Sequence, residues 1–270
     1  MIHNMLPYHI QHLEFNPPEH LKDIIKCFWY DKREFCEYPA LFEVVPDGYT
    51  EIIFHFGGGC KIDLPDGLQE LASPFIMGLL KKPARFYMQN KLEIIAIRCF
   101  PWAVFNLLAL PCNKGVMSVA DHQVVALQDT LTGLIKAGRV ANAIEQVSQY
   151  FTNAYSQTTI NKLLSRAGTA MIKAKGDISV NQVASAAFTT TRTLERNFKQ
   201  ASGNTVKDVA GLMRFEEARN RLLLFPDTNL SSLAHELGYS DQSHLSREFK
   251  RYSGTTPTAF ARDNKKQYKL

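Results

Sequence analysis

Much that would commit a chain to catalysis or to a membrane is missing here. No run of 18 apolar residues occurs, so a membrane span is not expected. Cysteine is scarce: the five are Cys27, Cys36, Cys60, Cys99 and Cys112, with no C-x-x-C pair and none in the last 158 residues. An odd number at irregular spacing supplies neither a disulfide framework nor a structural zinc site, and buried free thiols are expected. His3, His9, His12, His20 and His55 form no ligand-spaced set. There is no nucleophile elbow and no phosphate-binding loop. Asp47, Glu51, His55 and Asp63 are the nearest polar candidates for chemistry in the front half, and turn and surface roles are expected for them. The first twenty residues show no basic stretch leading into an apolar core, so they do not read as a secretory signal, and the cytoplasm is the expected location. No catalytic residue, metal or cofactor is expected.

What is present fits two or more domains. The chain has 270 residues, 45% of them hydrophobic, enough for at least one substantial core. Its net charge of +5 is unevenly placed. Of 31 Lys+Arg and 26 Asp+Glu, 17 and 10 fall from Leu164 onward, which leaves 14 and 16 before it. The back is therefore +7 and the front −2, and a basic back suits a polyanion.

The expected class is α+β multidomain. Residues 1–112 read as a β-rich sensing domain of barrel or sandwich-like form, 113–167 as a helical segment, and 168–270 as an all-α domain. Strands are expected at Leu41–Pro46, Tyr49–Phe56, Cys60–Leu64, Phe75–Leu80, Ala84–Gln89 and Leu92–Phe100, separated by Asp47-Gly48, Gly57–Gly59 and Pro65-Asp66-Gly67. Tyr49, Phe54, Phe56, Phe86 and Trp102 are core aromatics by default and candidate lining for a pocket. Helices are expected at Trp102–Ala109 with Pro101 opening it, Asp121–Lys136, Gly138–Phe151 and Ser156–Arg166. This helical part packs on the sheet, spaces the domains, or makes a dimer. Gly168 and Lys173–Asp177 are linker candidates, and Lys265–Leu270 reads as a frayed tail.

The last hundred residues contain one pattern twice. "NQVASAAFTTTRTLERNFKQASG" spans Asn181–Gly203, and "SSLAHELGYSDQSHLSREFKRYSG" spans Ser231–Gly254. Each has a short apolar helix, a break, a second helix with Leu and Phe four apart, and a closing Ser-Gly. In the first, Asp177 or Ser179 is placed to cap the opening helix and Thr190 the following one, Thr191–Gln200. Leu194 and Phe198 point inward, which leaves Arg192, Glu195 and Arg196 outward. Arg can take guanine O6 and N7 together, and a carboxylate can accept from cytosine N4. Glu195 either reads a base or pairs with Lys199. In the second, Gly238 permits the turn, Ser240 is the expected cap, and Leu245 and Phe249 repeat the inward pair. Gln242, Ser243 and Arg247 are the outward base readers. Thr190, Lys199, Ser240, Lys250 and Arg251 are placed for phosphates. Between the units, Thr205–Phe225 carries the stripe Leu212, Phe215, Ala218 and Leu222, and Pro226 ends it. One rigid connector can aim two probes at successive major grooves, roughly 34 Å apart.

These residues resemble the arabinose-operon-regulator (AraC/XylS-type) family of bacterial transcription factors. The most diagnostic string is "LAHELGYSDQSHLSREFKRYSGTTPTAF", Leu233–Phe260. The resemblance implies two helix-turn-helix units joined by a long helix, with recognition helices at Thr191–Gln200 and Asp241–Tyr252. Two features depart from the family. Phe188 stands where a turn glycine is common, so the first turn is expected to be adjusted or reshaped. "SGNTVKD" also lacks the usual Pro after Gly. In front, "VVPDGYTEIIFHFG" and "IIAIRCFPWAVFNLL" are similar to a poorly characterised N-terminal domain of such regulators. The implied protein is a sequence-specific, effector-responsive regulator of transcription whose partners are double-stranded DNA, a small-molecule effector, a second copy of the chain, and RNA polymerase if it is an activator. The alternative is a DNA-repair protein or enzyme carrying a regulator-like DNA-binding domain.

Overall fold

In a computed structural model of the protein, the structure describes residues 9–35, 40–89, 91–110, 112, 115–158 and 161–267. Among the described residues ten strands make up most of the front of the chain, the last of them after a short helix. They are β1 (His9–Phe15), β2 (Ile25–Glu34), β3 (Ala40–Val44), β4 (Thr50–His55), β5 (Cys60–Leu64), β6 (Gly67–Leu71), β7 (Phe75–Met77), β8 (Ala84–Met88), β9 (Lys91–Cys99) and β10 (Val116–Ser118). One antiparallel sheet has the order β1-β2-β9-β4-β7-β10, and a second has β3-β8-β5-β6.

The six-stranded sheet carries the core of this first unit. Phe28 and Tyr30 on β2, Ile52 and Phe54 on β4, and Ile95 and Ile97 on β9 share one face and are buried. Registers put Phe28 opposite Ile97 and Ile97 opposite Ile52, so the apolar rows line up across three strands. The same cluster takes in Leu131 and Ile135 of α2 (Leu127–Lys136) and Ile144, Val147 and Phe151 of α3 (Val140–Ser156). The middle helices therefore cover this sheet. Each fully buried Leu, Ile or Phe contributes about 1.5–3 kcal/mol relative to exposure. On the opposite face, Glu51 and Arg98 are register partners, with Arg98 Nε donating to Glu51 Oε1 at 2.8 Å. Trp29 Nε1 donates to the same oxygen at 3.1 Å, and the Arg98 guanidinium lies over the Trp29 and Tyr49 rings. Glu51 is thus a buried, paired residue and not a turn or surface carboxylate.

The helical part is less uniform than its pattern suggests. Pro101 lies in a turn, and α1 (Val104–Leu107) starts three residues after it. β10 occupies a segment expected to be helical; it pairs with β7 over Phe75–Met77. The helix expected at Ser156–Arg166 is displaced to α4 (Lys162–Lys173), because the Asn161 side chain accepts from the Leu163 and Leu164 N–H groups and restarts the helix there. Gly168 is buried inside α4 and is no linker; of the Lys173–Asp177 run, Lys173 is the last residue of α4 and 174–176 form the turn after it.

The chain divides into two units: Met1–Val44, Tyr49–Leu79 and Ala84–Ile160; and Val45–Gly48, Leu80–Pro83 and Asn161–Leu270. The second holds α4, α5 (Val180–Ala186), α6 (Thr191–Ser202), α7 (Val206–Leu224), α8 (Leu230–Glu236), α9 (Gln242–Ser253) and α10 (Pro257–Gln267). α10 runs on through Gln267, so the first three residues of the tail expected to fray are helical, and 268–270 lie outside the described residues. Among the described residues no helix is long and apolar enough to cross a membrane.

Candidate nucleic-acid interface

The two repeated units close in the same way, atom for atom. α5 is capped by Ser179 and not by Asp177. Its hydroxyl accepts the Gln182 N–H at 3.3 Å, while the Gln182 side chain accepts the Ser179 N–H at 2.9 Å. At the far end of α5, Phe188 N–H donates to Ser185 O and Thr189 N–H to Ala184 O, both at 3.0 Å. At the end of α8, Gly238 N–H donates to His235 O at 3.2 Å and Tyr239 N–H to Ala234 O at 2.9 Å. Phe188 (φ 53°) and Gly238 (φ 70°) both occupy the left-handed region. The expected reshaping of the first turn is not found. Phe188 accepts the glycine geometry because its side chain is 81% exposed and meets no wall. The Arg166 guanidinium lies 5.0 Å from its ring centroid. A left-handed non-glycine residue costs about 1–2 kcal/mol, and an exposed cation–π contact returns about 0.5–1 kcal/mol of it.

The helix starts differ. Thr190 caps α6, accepting the Thr193 N–H at 3.2 Å. The expected cap of α9, Ser240, is wrong: Asp241 holds that place and accepts the His244 N–H at 2.7 Å. Ser240 instead donates to the Asp241 carboxylate at 3.2 Å and bonds His244 Nδ1 at 3.2 Å. A carboxylate is the stronger acceptor for a helix N–H, and the second turn is one residue longer, which brings Asp241 into register. The His244 backbone N–H holds the Asp241 carboxyl below the ordinary carboxylate range.

Leu194 and Phe198 of α6, and Leu245 and Phe249 of α9, are fully buried. Their opposite faces are open. Arg192 and Arg196 are exposed and Glu195 is half-buried; Gln242, Ser243 and Arg247 are exposed. Among the described residues Glu195 makes no ion pair with Lys199. Thr190, Lys199, Ser240, Lys250 and Arg251 are exposed too, and the Arg251 guanidinium lies 5.2 Å from the Tyr252 ring centroid. Both helices end identically. Ser202 Oγ donates to Phe198 O at 2.8 Å and accepts the Asn204 N–H, and Ser253 Oγ donates to Phe249 O at 2.8 Å and accepts the Thr255 N–H. Gly203 and Gly254 follow in the left-handed region.

α7 joins the units. Thr205 and Asp208 cap it reciprocally, Val206 takes the first helical position that Pro257 takes in α10, and Pro226 follows its end. Leu212, Phe215, Ala218 and Leu222 are all buried, and Phe215 meets Phe249 and Tyr252 edge-on or tilted at 5.1 and 5.2 Å. Arg214 is the residue that pattern reading missed. Its Nη1 donates to Gly176 O at 3.2 Å, its Nη2 lies 3.6 Å from Glu248 of α9, and its guanidinium covers the Tyr239 ring at 5.2 Å. One cation thereby ties the end of α4 and the turn and recognition helix of the second unit to α7. Its only signal was a charge next to an apolar stripe.

Cys27, Cys60 and Cys99 are buried and Cys112 half-buried; Cys36, His3 and the His9 side chain lie outside the described residues. Burial pushes the Cys27 and Cys60 thiols up to about 11, so neither is a ready nucleophile. Among the described residues no group of three His, Cys, Asp or Glu is placed to hold a metal ion.

Residues 183–263 match the family model described as a helix-turn-helix domain, and residues 13–120 match a domain of unknown function (DUF6597). The chain is 36% identical over 66 residues to the HTH-type transcriptional activator RhaS of Pectobacterium carotovorum, a match covering 24% of this chain and 23% of that protein. It is 33% identical over 70 residues to the uncharacterized transcriptional regulatory protein YesN of Bacillus subtilis, covering 26% of this chain and 19% of that one. The match thus spans less than a quarter of either relative. Among solved structures, ToxT from Vibrio cholerae aligns over 87% of this chain and 97% of its own, at 9% identity and a TM-score of 0.47. The chain thus carries a helix-turn-helix domain over residues 183–263 behind a DUF6597 domain over residues 13–120, the arrangement that the resemblance to AraC/XylS-type regulators implies.

Proposed function

We propose that this protein is a sequence-specific, effector-responsive DNA-binding regulator of transcription acting in the cytoplasm. α6 and α9 enter successive major grooves, Arg192, Glu195, Arg196, Gln242, Ser243 and Arg247 read base edges, and Lys199, Lys250 and Arg251 meet phosphates. The observation that carries this reading is the pairing of two helices, each with a buried Leu/Phe face and an open polar face, on one packed connector. Thr190 and Ser240 also stand at the helix starts for phosphate, although Ser240 already gives its proton to Asp241. One relative is named a transcriptional activator, which favours activation, and RNA polymerase is then the partner to test for.

Selection of genomic fragments with the purified full chain tests the reading. A defined site should emerge, bound more weakly as salt rises. Arg192→Ala and Arg247→Ala should each cost about 1–3 kcal/mol and relax discrimination at one position. Recovery of fragments with no shared sequence would refute it. A repair activity would instead need an accessible reactive thiol, and absence of methyl transfer from alkylated DNA would remove that alternative.

A further inference from the structure

The first unit contains a cleft that DNA recognition does not use. It has a volume of about 490 Å³ and lies between the ends of β4 and β9 and the side of α2, lined among others by His55, Lys91, Glu93, Gln128, Thr132 and Lys136. That size is within the roughly 300–1,000 Å³ of small-molecule pockets.

Its walls are fixed by hydrogen bonds that are already made. Ser73 Oγ accepts the His55 N–H at 2.9 Å and donates to Gln128 Oε1 at 2.7 Å, and Gln128 Nε2 donates back to His55 O at 3.2 Å. This ring joins β4 to α2 and leaves the cleft preformed. His55 Nε2 faces Leu71 O at 3.0 Å, so Nε2 carries the proton. Burial lowers the His55 pKa, so the ring is neutral, and its Nδ1 is a buried acceptor with no donor. Glu93 is engaged on both oxygens: Tyr30 donates to Oε1 at 2.7 Å, and Lys91 Nζ lies 2.5 Å from Oε2.

The charge balance then selects a ligand class. Lys91 and Glu93 cancel. Lys136 is exposed at the rim and forms no ion pair among the described residues. The lining is left with one unbalanced positive charge, which suits one carboxylate and not a doubly charged phosphate ester. Each Glu93 oxygen keeps a lone pair beyond its one partner, and Thr132 Oγ1, which donates to Gln128 O at 2.7 Å, keeps one too, so the inner side suits ligand hydroxyls. Phe56 and Ile135 supply only a small apolar part of the wall, too little for a long hydrocarbon chain.

We propose that this cleft binds a small hydroxylated monocarboxylate, a hydroxy acid or sugar acid, with its carboxylate on Lys136 and its hydroxyls on the Glu93–Thr132 side. The proposal rests on the reading of the protein as an effector-responsive regulator and names the effector's chemistry.

The test uses the full chain, with thermal unfolding and calorimetric titration against lactate, gluconate and glucuronate. Glucose serves as a hydroxylated but uncharged comparator, and hexanoate as a charged but unhydroxylated one. At least one hydroxylated acid should raise the melting temperature and bind, while both comparators should not. Lys136→Gln should weaken that acid roughly tenfold, the loss of one charge-assisted contact. Thr132→Val should weaken it as well, and both variants, being at exposed or half-exposed positions, should melt like the parent without ligand. Silence from all three acids, equal binding of hexanoate, or undiminished binding by Lys136→Gln would overturn the proposal. Selection of DNA fragments with the same preparation separates the two readings: a defined site without acid binding sinks the cleft alone, and acid binding without a defined site sinks the regulator and leaves the cleft.

Discussion

Replacing Gly176 with alanine should damage the DNA-binding unit more than any surface change of similar size. Gly176 follows the end of α4 at φ +80° and lies against the backbone of α7. An added Cβ would fall on the Ala210 carbonyl oxygen, far inside van der Waals contact, and 3.0 Å from both Arg214 N and Met213 Cβ. The backbone of a packed helix cannot swing aside as a flexible side chain can. Left-handed strain contributes about 1–2 kcal/mol and overpacking about 1–3 kcal/mol. The lower entropy of the unfolded alanine chain offsets about 0.4–1 kcal/mol. A net loss of about 2–4 kcal/mol follows from these terms, or roughly 8–32 °C in melting temperature at about 4–8 °C per kcal/mol for a domain near this size. The same shift would disturb the Arg214 contact to Gly176 O, so DNA affinity should fall with stability. Circular dichroism melts and urea titrations of the full chain measure the effect. Gly133→Ala is the control: it lies in α2 with nothing within 4 Å of its Cβ, and it should stabilise by about 0.5–1 kcal/mol. A Gly176→Ala melt within 3 °C of the parent, taking that margin as about half a kcal/mol, would refute the reasoning.

Other outcomes follow from the two turns and the helix starts. Phe188→Gly should be nearly neutral, within about 0.5 kcal/mol, since relief of left-handed strain is offset by a lost cation–π contact and greater unfolded freedom. Gly238→Phe should cost about 1–2 kcal/mol, the left-handed strain, because the Asp177 carboxylate that its Cβ meets ends an exposed side chain that can swing aside; equal melts for the two variants would contradict this. The Asp241 carboxyl should titrate below an ordinary aspartate by NMR. Because its folded value is depressed, its contribution is present above the unfolded value and lost as pH falls through the folded one. Asp241→Ala should remove that part of the acid dependence. Lys250→Ala should weaken binding on all DNA sequences alike and lower the salt slope by about 1, whereas a position-specific loss would recast Lys250 as a base reader.

The sequence was most legible where side chains alternate cleanly. β4, β5, β8 and β9 appear within a residue or two of expectation because apolar runs bounded by Gly, Pro and Asp have few other homes. β2 escaped notice although it pairs with both β1 and β9. Its second half reads Asp31-Lys32-Arg33-Glu34, a loop-like charge run, yet residues two apart share a strand face, so Asp31 pairs with Arg33 and Lys32 with Glu34. β10 is three residues long and is held by β7 alone, so no local pattern marks it. In the back unit the inward Leu/Phe pairs, the α7 stripe and the Thr190 cap follow directly from period and capping rules. The cap of α9 did not, because adjacent Ser240 and Asp241 both suit the role and only the length of the turn decides. The long-range ties of Arg214 and Gly176 depend on which backbones come together, and no short-range rule reports that.

The buried serines at the ends of α6 and α9 carry a consequence for redesign. Ser202 and Ser253 make the same pair of bonds, four residues after a buried Phe and one before a left-handed Gly, in units whose exposed faces share little. The concealed end of each unit is thus built alike while the exposed face is not. On the proposed reading, exchanging exposed residues at 192–196 or 242–247 alone should change the preferred DNA sequence and leave the melt of the unit as it was.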